Sequence, residues 1–527
     1  MWPKPPMSFT RTFPLTLLSL AVVVCTATTS TVTVAGVDIA VSGTNVTVPS
    51  HVTADAAGLS VLPLASAALL ACALTSLEIG DVYVESSGSE YQETASSTWS
   101  LFNSFTKPTC VVYPRTTEHV QSVMGNIFLM GANYAVQAGA HSAMVGWNSI
   151  TDGILISFAH MNSTTYSPSS DTITVLPGVH WGDAADAVEQ YGVSAIGGRA
   201  SDVGTGLLLG GGISFTSPLY GWSADLIKEM DVVLVTGELV TVSATNQYSD
   251  LFRALKGGAN RFGIVTRYEL YAAHTGTKDD KEWYGGVITY PGSAAEALSN
   301  ASAKYIRETT DPKAGFILLL NSDTVSPGAH STYVFYKGKS LPQSIFGDFL
   351  SIPSTSQTLS PLSYYDISFL IPGDTRGNGE QFGATSWVGD EETFLNGYNH
   401  FLNFTNTFSA QLASSFFIAS PIPSFQWTAS RSGPNAIGSP GVSYATINFW
   451  LTYLPNIKAV PPTVQAGFEF LFKQTPPSPG LPLYVNEGDA SQNMFATYPS
   501  YAMLKKTYAK YDPLRFNVQH TRGPRGL

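Results

Sequence analysis

Between residues 106 and 275, apolar positions alternate between the spacing of a strand and that of a helix. The apolar run 110–113 predicts a buried strand. Behind it, apolar residues return at the spacing of one helix face, at Val120, Val123, Met124, Ile127 and Phe128. Thr116 or Thr117 can cap this helix, because a threonine oxygen accepts a hydrogen bond from a free N–H of the first turn.

Further elements follow in the same region. Strands are predicted at 134–136, 153–158, 172–176 and 262–268, and a hairpin joins 231–235 to 239–243. Helices are predicted at 250–255 and at 183–191, where the apolar stripe is Ala184, Ala187, Val188 and Tyr191. The alternation predicts an α+β domain over residues 106–275.

From 276 to 478 the pattern changes to alternating strands with long connections. Apolar and β-branched residues predict strands at 317–320, 332–336 and 444–450, and Ser/Thr/Pro-rich connections are predicted at 351–362 and 419–440. This pattern is typical of an antiparallel sheet with helices on one face. At 527 residues the chain is long enough for two domains.

The N-terminal residues have the features of a secretory signal. Lys4 and Arg11 precede an uncharged apolar run, 13–25, which ends in small residues, and this pattern predicts a signal peptide over 1–27. A second apolar run, 56–77, is interpreted as a linker and the first helix of an N-terminal segment, 28–105. A membrane-spanning helix is the alternative interpretation of that run.

Other residues fit a secreted chain. Glycosylation acceptor sequences occur at Asn45, Asn162, Asn300 and Asn403. Cys72 and Cys110 remain after signal removal, either as one disulfide or as two buried thiols. The net charge of −11 argues against nucleic acid as a partner, and the nine histidines show no metal-ligand spacing. We therefore expect neither nucleic acid nor a metal to bind.

Two glycine-containing segments carry the candidate chemistry. Gln-Ala-Gly-Ala-His-Ser at 137–142 follows the strand 134–136, and such a turn can aim backbone N–H groups at a phosphate. Seven glycines stand between 197 and 212, a density typical of close contact between backbone and ligand. Gly328-Ala329-His330-Ser331 repeats part of the turn, but it leads into the strand 332–336 and is interpreted as structural.

These segments resemble the berberine bridge enzyme-like oxidases of the vanillyl-alcohol oxidase superfamily, which have a PCMH-type FAD-binding domain. The resemblance covers the turn 137–142, the glycine-rich stretch through Tyr220-Gly221-Trp222-Ser223-Ala224-Asp225, the unit 251–266, and the C-terminal Tyr484-Val485-Asn486 and Tyr511-Asp512-Pro513. It implies that residues 479–527 return to the FAD domain. The chain departs from the family's turn at Gln137 and Ala140, where the family has arginine and glycine.

The resemblance implies that FAD is bonded covalently to His141 alone, because Ala200 stands where the family has a second anchor, a cysteine. It also implies the residues that contact FAD: Gly139, Ala140, His141, Ser142, Gly178, Ala200, Val203, Gly204, Gly206, Gly211, Tyr220, Asp225, Ile264, Val265 and Asn486. In the family, a valine at the place of Val203 accompanies oxidase behaviour.

We therefore expect a secreted or secretory-pathway oxidase that oxidises a small specialised metabolite. Hydride passes to flavin N5, and O2 then reoxidises the flavin to give H2O2. An extracellular carbohydrate oxidase and a flavin-binding protein without turnover are the alternatives. Glu487 is the candidate catalytic base, since a carboxylate beside an apolar flavin face can have a raised pKa. Tyr484 is its competitor, and a solvated loop position for Glu487 is the structural alternative.

Overall fold

The computed structural model describes residues 29–34, 37–42, 64–322, 329–371 and 376–527, and there the predicted α+β fold is confirmed. The predicted signal peptide 1–27 and Asn45 lie outside the described residues. The first described strands, Thr29–Val34 and Val37–Ser42, pair antiparallel.

An N-terminal sheet has the strand order Val84–Glu85, Cys110–Val112, Ile154–Ser157, Tyr134–Gln137, and the last three strands are parallel to one another. Helices Leu64–Ile79 and Thr117–Met130 pack on each other and on this sheet, and the short helix Ser89–Ser96 lies between the first two strands in sequence. As predicted, Thr116 caps the second helix, where its side chain accepts from the His119 N–H. That cap fixes where the helix begins, at Thr117.

The disulfide interpretation of the two cysteines is confirmed. Cys72, on helix Leu64–Ile79, is bonded to Cys110 of the N-terminal sheet, with 6.2 Å between their Cα atoms. The helix overlaps the second apolar run, extends two residues past it to Ile79, and buries Ala67, Ala68 and Ala71. Among the helices that the structure describes, none has the length and apolar character needed to cross a bilayer.

A central sheet is antiparallel throughout and has the strand order Leu239–Ser243, Ile227–Val233, Ile264–Tyr271, Thr172–Val175, Thr164–Ser167. The predicted hairpin is confirmed, with Val233 opposite Leu239. Helices Trp181–Val188 and Ser249–Leu255 pack against it, and two single turns, Gly206–Leu209 and Ser217–Tyr220, belong to the glycine-rich region. Val193–Ser194 pairs separately with Ala273–His274.

The apolar stripe predicted for residues 183–191 is wrong in half of its members. Ala187 and Tyr191 are exposed, whereas Trp181, Ala184 and Val188 form the buried face. The α-helix begins two residues earlier than predicted, at Trp181, and this large indole decides which side of the helix faces the core.

A large antiparallel sheet has the strand order Ser356–Gln357, Trp283–Tyr290, His330–Tyr336, Ala314–Asn321, Leu412–Ile422, Tyr444–Tyr453, Glu380–Trp387, and Ser360–Leu362 also pairs with Trp283–Tyr290. Helices Ala295–Glu308, Gln343–Ser351, Glu391–Thr407 and Pro462–Gln474 share one apolar core with one face of this sheet, as predicted. A short helix, Tyr364–Ser368, packs with the opposite face.

Successive residues of these strands point to opposite faces. Phe316, Leu318 and Leu320 contribute to the core beneath the helices, whereas Ile317 and Leu319 face the other way, toward the glycine-rich segment. This alternation gives the sheet a second face that can form one wall of a site.

The connection predicted at 419–440 begins too early, because residues 419–422 continue the strand Leu412–Ile422. Ser420 pairs with Thr446 and Pro421 with Ala445. On the other side of this strand, pairing with Ala314–Asn321 ends at Ala419. Pro421 therefore lies where only one neighbouring strand pairs, the kind of place in a sheet where proline is tolerated.

The C-terminal residues return to the first two sheets. Helix Tyr501–Tyr511 and the preceding residues 481–498 share the apolar core of the central sheet, and helix Phe516–His520 contacts the core of the N-terminal sheet. This return brings Tyr484 and Glu487 to the edge of the glycine-rich segment.

Candidate functional site

The turn 137–142 lies directly against the glycine-rich segment. A Cβ added to Gly139 would lie 2.6 Å from the Cα of Gly204, so the two backbones leave no room for a side chain. Ala140 has a φ of 57°, in the left-handed region that favours glycine. The turn therefore keeps a glycine-like backbone at Ala140 although the residue is alanine.

His141 is held between the N-terminal segment and the glycine-rich segment. Its ring stacks on the indole of Trp99, with 4.1 Å between ring centroids and 15° between planes. His141 Nε2 lies 3.6 Å from Asp202 Oδ2, and both side chains are largely buried. These contacts fix the imidazole at the edge of a cavity that it helps to line.

This cavity has a volume of about 330 Å³ and lies between the glycine-rich segment and the large sheet. One wall is formed by the turn 138–142, residues 198–207 and Gly263, Ile264 and Val265. The facing wall belongs to the large sheet: Ile317, Leu319, Tyr333, Phe382, Ile418, Asn448 and Trp450. Tyr484, Asn486 and Glu487 reach it from the C-terminal segment.

Most of the residues predicted to contact FAD line this cavity: Gly139, Ala140, His141, Ser142, Ala200, Val203, Gly204, Gly206, Ile264, Val265 and Asn486. Gly178, Gly211, Tyr220 and Asp225 are not among its lining residues. Asp225 is instead buried in an ion pair with Lys256, with 3.8 Å between Oδ1 and Nζ. Gly211 lies against the side chains of Ile437 and Trp222.

Glu487 does not lie on a solvated loop. It ends the single turn Val485–Glu487, and its side chain is 10% exposed. Arg199 Nη2 donates to Glu487 Oε1 over 2.7 Å, while Oε2 is buried without a hydrogen-bond partner among the described residues. Burial raises the pKa of this carboxyl, and the charge of Arg199 opposes the rise without cancelling it.

Tyr484 lies beside this carboxyl, fully within the protein. Its hydroxyl accepts a hydrogen bond from Asn486 Nδ2 over 2.9 Å. Burial, and to a smaller extent the negative charge of Glu487, raise the pKa of Tyr484 well above its ordinary value. The phenol therefore keeps its proton at neutral pH.

A second buried carboxyl lies behind the wall formed by the large sheet. Glu380 is 3% exposed, and its Oε2 accepts hydrogen bonds from Trp450 Nε1 over 2.6 Å and from Thr452 Oγ1 over 2.8 Å. Burial raises the pKa of Glu380 to about 7, against the opposing effect of these two donors. Trp450 in turn packs on Trp99, with 5.9 Å between ring centroids.

The cavity fits a flavin dinucleotide by its glycine-lined wall and by its polar atoms. Both amide atoms of Asn148, Oδ1 of Asn448 and Oε2 of Glu487 are buried with no partner among the residues that the structure describes. Buried polar atoms are nearly always paired in proteins, so these atoms are suited to hydrogen-bond a molecule held in the cavity. The glycine-lined wall provides close backbone approach along its length.

Three site residues were not identified from the sequence: Trp99, Arg199 and Glu380. Trp99 comes from the N-terminal segment, where no motif singled it out. Arg199 lies inside the glycine-rich segment, and a charged residue among seven glycines was the available signal. Glu380 begins an alternating strand, and nothing in its local pattern distinguishes a buried glutamate from an exposed one.

The comparisons with known proteins agree with this geometry. The FAD binding domain family matches residues 108–243. An FAD-linked oxidoreductase of Arthroderma benhamiae is 29% identical over 429 residues, covering 77% of this chain and 84% of that protein. An FAD-dependent monooxygenase of Arthrobotrys oligospora is 27% identical, with 81% and 83% covered.

A solved structure supports the fold independently of close sequence similarity. The wild-type BBE-like 1 protein of Physcomitrella patens is 19% identical, covers 84% of this chain and 96% of its own, and superposes with a TM-score of 0.69. The matched FAD binding domain and the FAD-linked relatives make FAD the cofactor. The chain is therefore an FAD-binding oxidoreductase, and its fold is similar to that of the BBE-like 1 protein.

Proposed function

We propose that the protein is a secreted FAD-dependent oxidase of a small, mainly apolar alcohol or ring system, a specialised metabolite by class. The observation that carries this proposal is Glu487, whose side chain lines the cavity and whose buried Oε2 has no hydrogen-bond partner among the described residues. In this proposal residues 28–275 and 479–527 hold FAD, and residues 276–478 supply the substrate-facing wall.

The residues that would hold FAD are those of the turn 138–142, the segment 198–207 and Gly263 to Val265. His141 would carry the covalent bond, and Ala200 leaves that bond single. When bound, FAD supplies a hydride acceptor at N5 and passes the two electrons to O2, giving H2O2.

Glu487 is better suited than Tyr484 to take the proton of the substrate. Tyr484 stays protonated because burial and the nearby carboxylate both disfavour a phenolate. Glu487 has one oxygen held by Arg199 and the other free to accept a hydrogen bond from a substrate hydroxyl. A base placed in this way typically contributes ~10²–10⁴-fold to the rate.

The wall of the large sheet favours an apolar substrate over a sugar. Its lining side chains are mainly aliphatic or aromatic, and Asn448 is the polar exception that offers an unpartnered oxygen. A sugar presents hydroxyls on most of its edges, and each hydroxyl that enters without a partner costs roughly 1–3 kcal/mol. Apolar side chains at this wall also exclude water from the reacting carbon.

The deciding experiment measures H2O2 release and the fate of ¹⁸O2 with purified holoprotein. The substrate panel contains terpenoid, polyketide and alkaloid alcohols together with mono- and oligosaccharides. We expect substrate-dependent H2O2 from one of the alcohols, and with ¹⁸O2 both labelled atoms in the peroxide. Label in the organic product would identify a monooxygenase, the activity named for the Arthrobotrys oligospora relative. Turnover of sugars alone would favour a carbohydrate oxidase, and the absence of flavin reduction by any compound would favour a binding protein.

Covalent attachment has its own test. If His141 carries the flavin, acid-precipitated wild-type protein stays yellow and its flavin peptide contains residue 141, whereas His141→Ala releases FAD into the supernatant. His180→Ala is the matched control, because His180 lies beside Gly139 but belongs to a different segment. Colour that is lost equally from both the wild type and His141→Ala would contradict the linkage.

Secretion rests on the predicted signal and on the acceptor asparagines. Asn162 and Asn403 are exposed, and Asn300 is partly exposed, so a transferase can reach them. We expect the protein in the culture medium, with a mass that falls on treatment with an N-glycosidase. Retention in the cytosol without glycans would contradict this part of the proposal.

A further inference from the structure

We propose that Arg199 is a positioning residue that presents a single oxygen of Glu487, Oε2, to the substrate. This inference rests on the proposed function, because it assigns the residue that makes Glu487 competent as the base. Arg199 and Glu487 are 288 positions apart in sequence and meet only because the C-terminal segment returns to the glycine-rich segment.

The geometry of the guanidinium supports this assignment. Nη2 donates to Glu487 Oε1 over 2.7 Å, and Nη1 donates to Ser420 Oγ, on strand Leu412–Ile422 of the large sheet. A guanidinium is planar and its donors are fixed relative to one another, so anchoring Nη1 on Ser420 sets the direction of Nη2. The carboxylate of Glu487 is therefore bound by a guanidinium that is itself hydrogen-bonded to the large sheet.

The division between the two carboxylate oxygens is the central point. Oε1 is committed to Arg199, and Oε2 has no partner within the described part of the chain. During turnover Oε2 would accept the proton of the substrate hydroxyl as the O–H bond breaks, while the adjacent carbon gives its hydride, with both electrons of the C–H bond, to FAD. The substrate thereby becomes a carbonyl, and Glu487 leaves the step as a neutral acid.

The surroundings of Glu487 single out Arg199 as the charge that acts on it. Two titratable or charged groups face this carboxyl from the described residues: Arg199, from the glycine-rich segment, and Tyr484, which directly precedes the turn of Glu487. Tyr484 is neutral, and the large sheet contributes the uncharged Ser420 to this cluster. Removing the guanidinium would leave a buried carboxyl without a cation, and it would protonate more readily.

The first test is the pH dependence of kcat/KM in Arg199→Gln, Arg199→Lys, Glu487→Gln and wild type. In Arg199→Gln we expect the apparent pKa of the base, read from the rise of kcat/KM with pH, to increase by about 1 to 3 pH units. Much of the activity of this variant should therefore return at high pH. Arg199→Lys should give a smaller shift, and Glu487→Gln should lose ~10²–10⁴-fold at every pH. A control is Arg307→Gln, which removes an exposed arginine paired with Glu391 on the outer helices and should leave the profile unchanged.

A second measurement separates failure of this inference from failure of the proposed function. The free energy of unfolding is measured at pH 8 for wild type, Arg199→Gln, Glu487→Gln and the double variant. We expect the double variant to be more stable than Arg199→Gln alone, because it no longer buries an unpaired carboxylate. If the effects of the two substitutions on stability are not additive but the pH profile of kcat/KM does not shift in Arg199→Gln, the positioning role is overturned. Additive stabilities would overturn the pairing itself, whatever the substrate proves to be, and shifted profiles in both arginine variants would support the inference even where one of them folds poorly.

Discussion

Replacing Glu380 with glutamine should remove a pH dependence from the stability of this protein. Glu380 is 3% exposed, and the two groups that donate to its Oε2, Trp450 Nε1 and Thr452 Oγ1, are neutral. Neutral donors compensate a buried negative charge only in part, so the pKa rises from 4.5 to about 7. Glutamine keeps an oxygen for both donors and cannot ionise.

The sign and size of the effect follow from linkage. Between pH 4.5 and about 7 the unfolded chain has lost the proton of Glu380 and the folded chain still holds it, so the free energy of unfolding falls as the pH rises. Each pH unit in this window is worth about 1.4 kcal/mol, which gives a total loss of about 3 kcal/mol for wild type. Glu380→Gln lacks this contribution, and its advantage over wild type should grow by about 2.5 kcal/mol between pH 5 and pH 8, because part of the change lies below pH 5.

The assay is urea unfolding of both proteins at pH 5, 6, 7 and 8. Glu238→Gln serves as a control, because Glu238 is exposed in the hairpin turn and its replacement should leave the pH dependence of wild type intact. A stability difference between Glu380→Gln and wild type that stays constant from pH 5 to pH 8 would refute the reasoning. Such a result would mean that Glu380 is ionised in the folded protein throughout this range.

Three further substitutions test the turn and the glycine-rich segment. Ala140→Gly relieves a left-handed alanine and should raise the free energy of unfolding by up to about 1 kcal/mol, whereas Ala138→Gly should lower it; equal effects in urea unfolding would contradict this. Val203→Leu adds bulk at the cavity wall and should slow reoxidation by O2 more than reduction by substrate, as resolved by stopped flow. Ala200→Cys should permit a second flavin bond, seen as a changed visible spectrum, and an unchanged flavin-peptide mass would contradict it.

The sequence predicts most elements of the fold because their signals are local. The cap at Thr116, the apolar face of helix Thr117–Met130 and the hairpin at Val233–Leu239 each depend on residues within a few positions of one another. The errors occur where a distant contact decides. In helix Trp181–Val188 the buried face is the one that carries Trp181. Ser420 and Pro421 continue a strand because they pair with strand Tyr444–Tyr453.

The site was predictable to the extent that it lies in contiguous motifs. The turn at 137–142 and the glycine-rich segment are such motifs, and the structure brings both to one cavity. Arg199, Trp99 and Glu380 act through partners that lie 288, 42 and 70 positions away in sequence. Periodicity and spacing report what a residue does within its own element, so they carry no information about these pairings.

The two buried carboxyls of this site show how their partners decide their chemistry. Burial raises the pKa of both Glu380 and Glu487, and it does so for the same reason, since each has lost most of its water. Glu487 contacts the cation of Arg199, which favours its ionised form, and its other oxygen has no hydrogen-bond partner among the described residues. Within the described part of the chain, the carboxyl of Glu380 accepts hydrogen bonds only from neutral donors, the indole N–H of Trp450 and the hydroxyl of Thr452. Below about pH 7 it is therefore a neutral acid, and it holds the Trp450 ring in place. In the proposed mechanism Glu487 must be able to hold a negative charge, whereas Glu380 need not. The structural difference between the two carboxyls is the guanidinium of Arg199 beside Glu487.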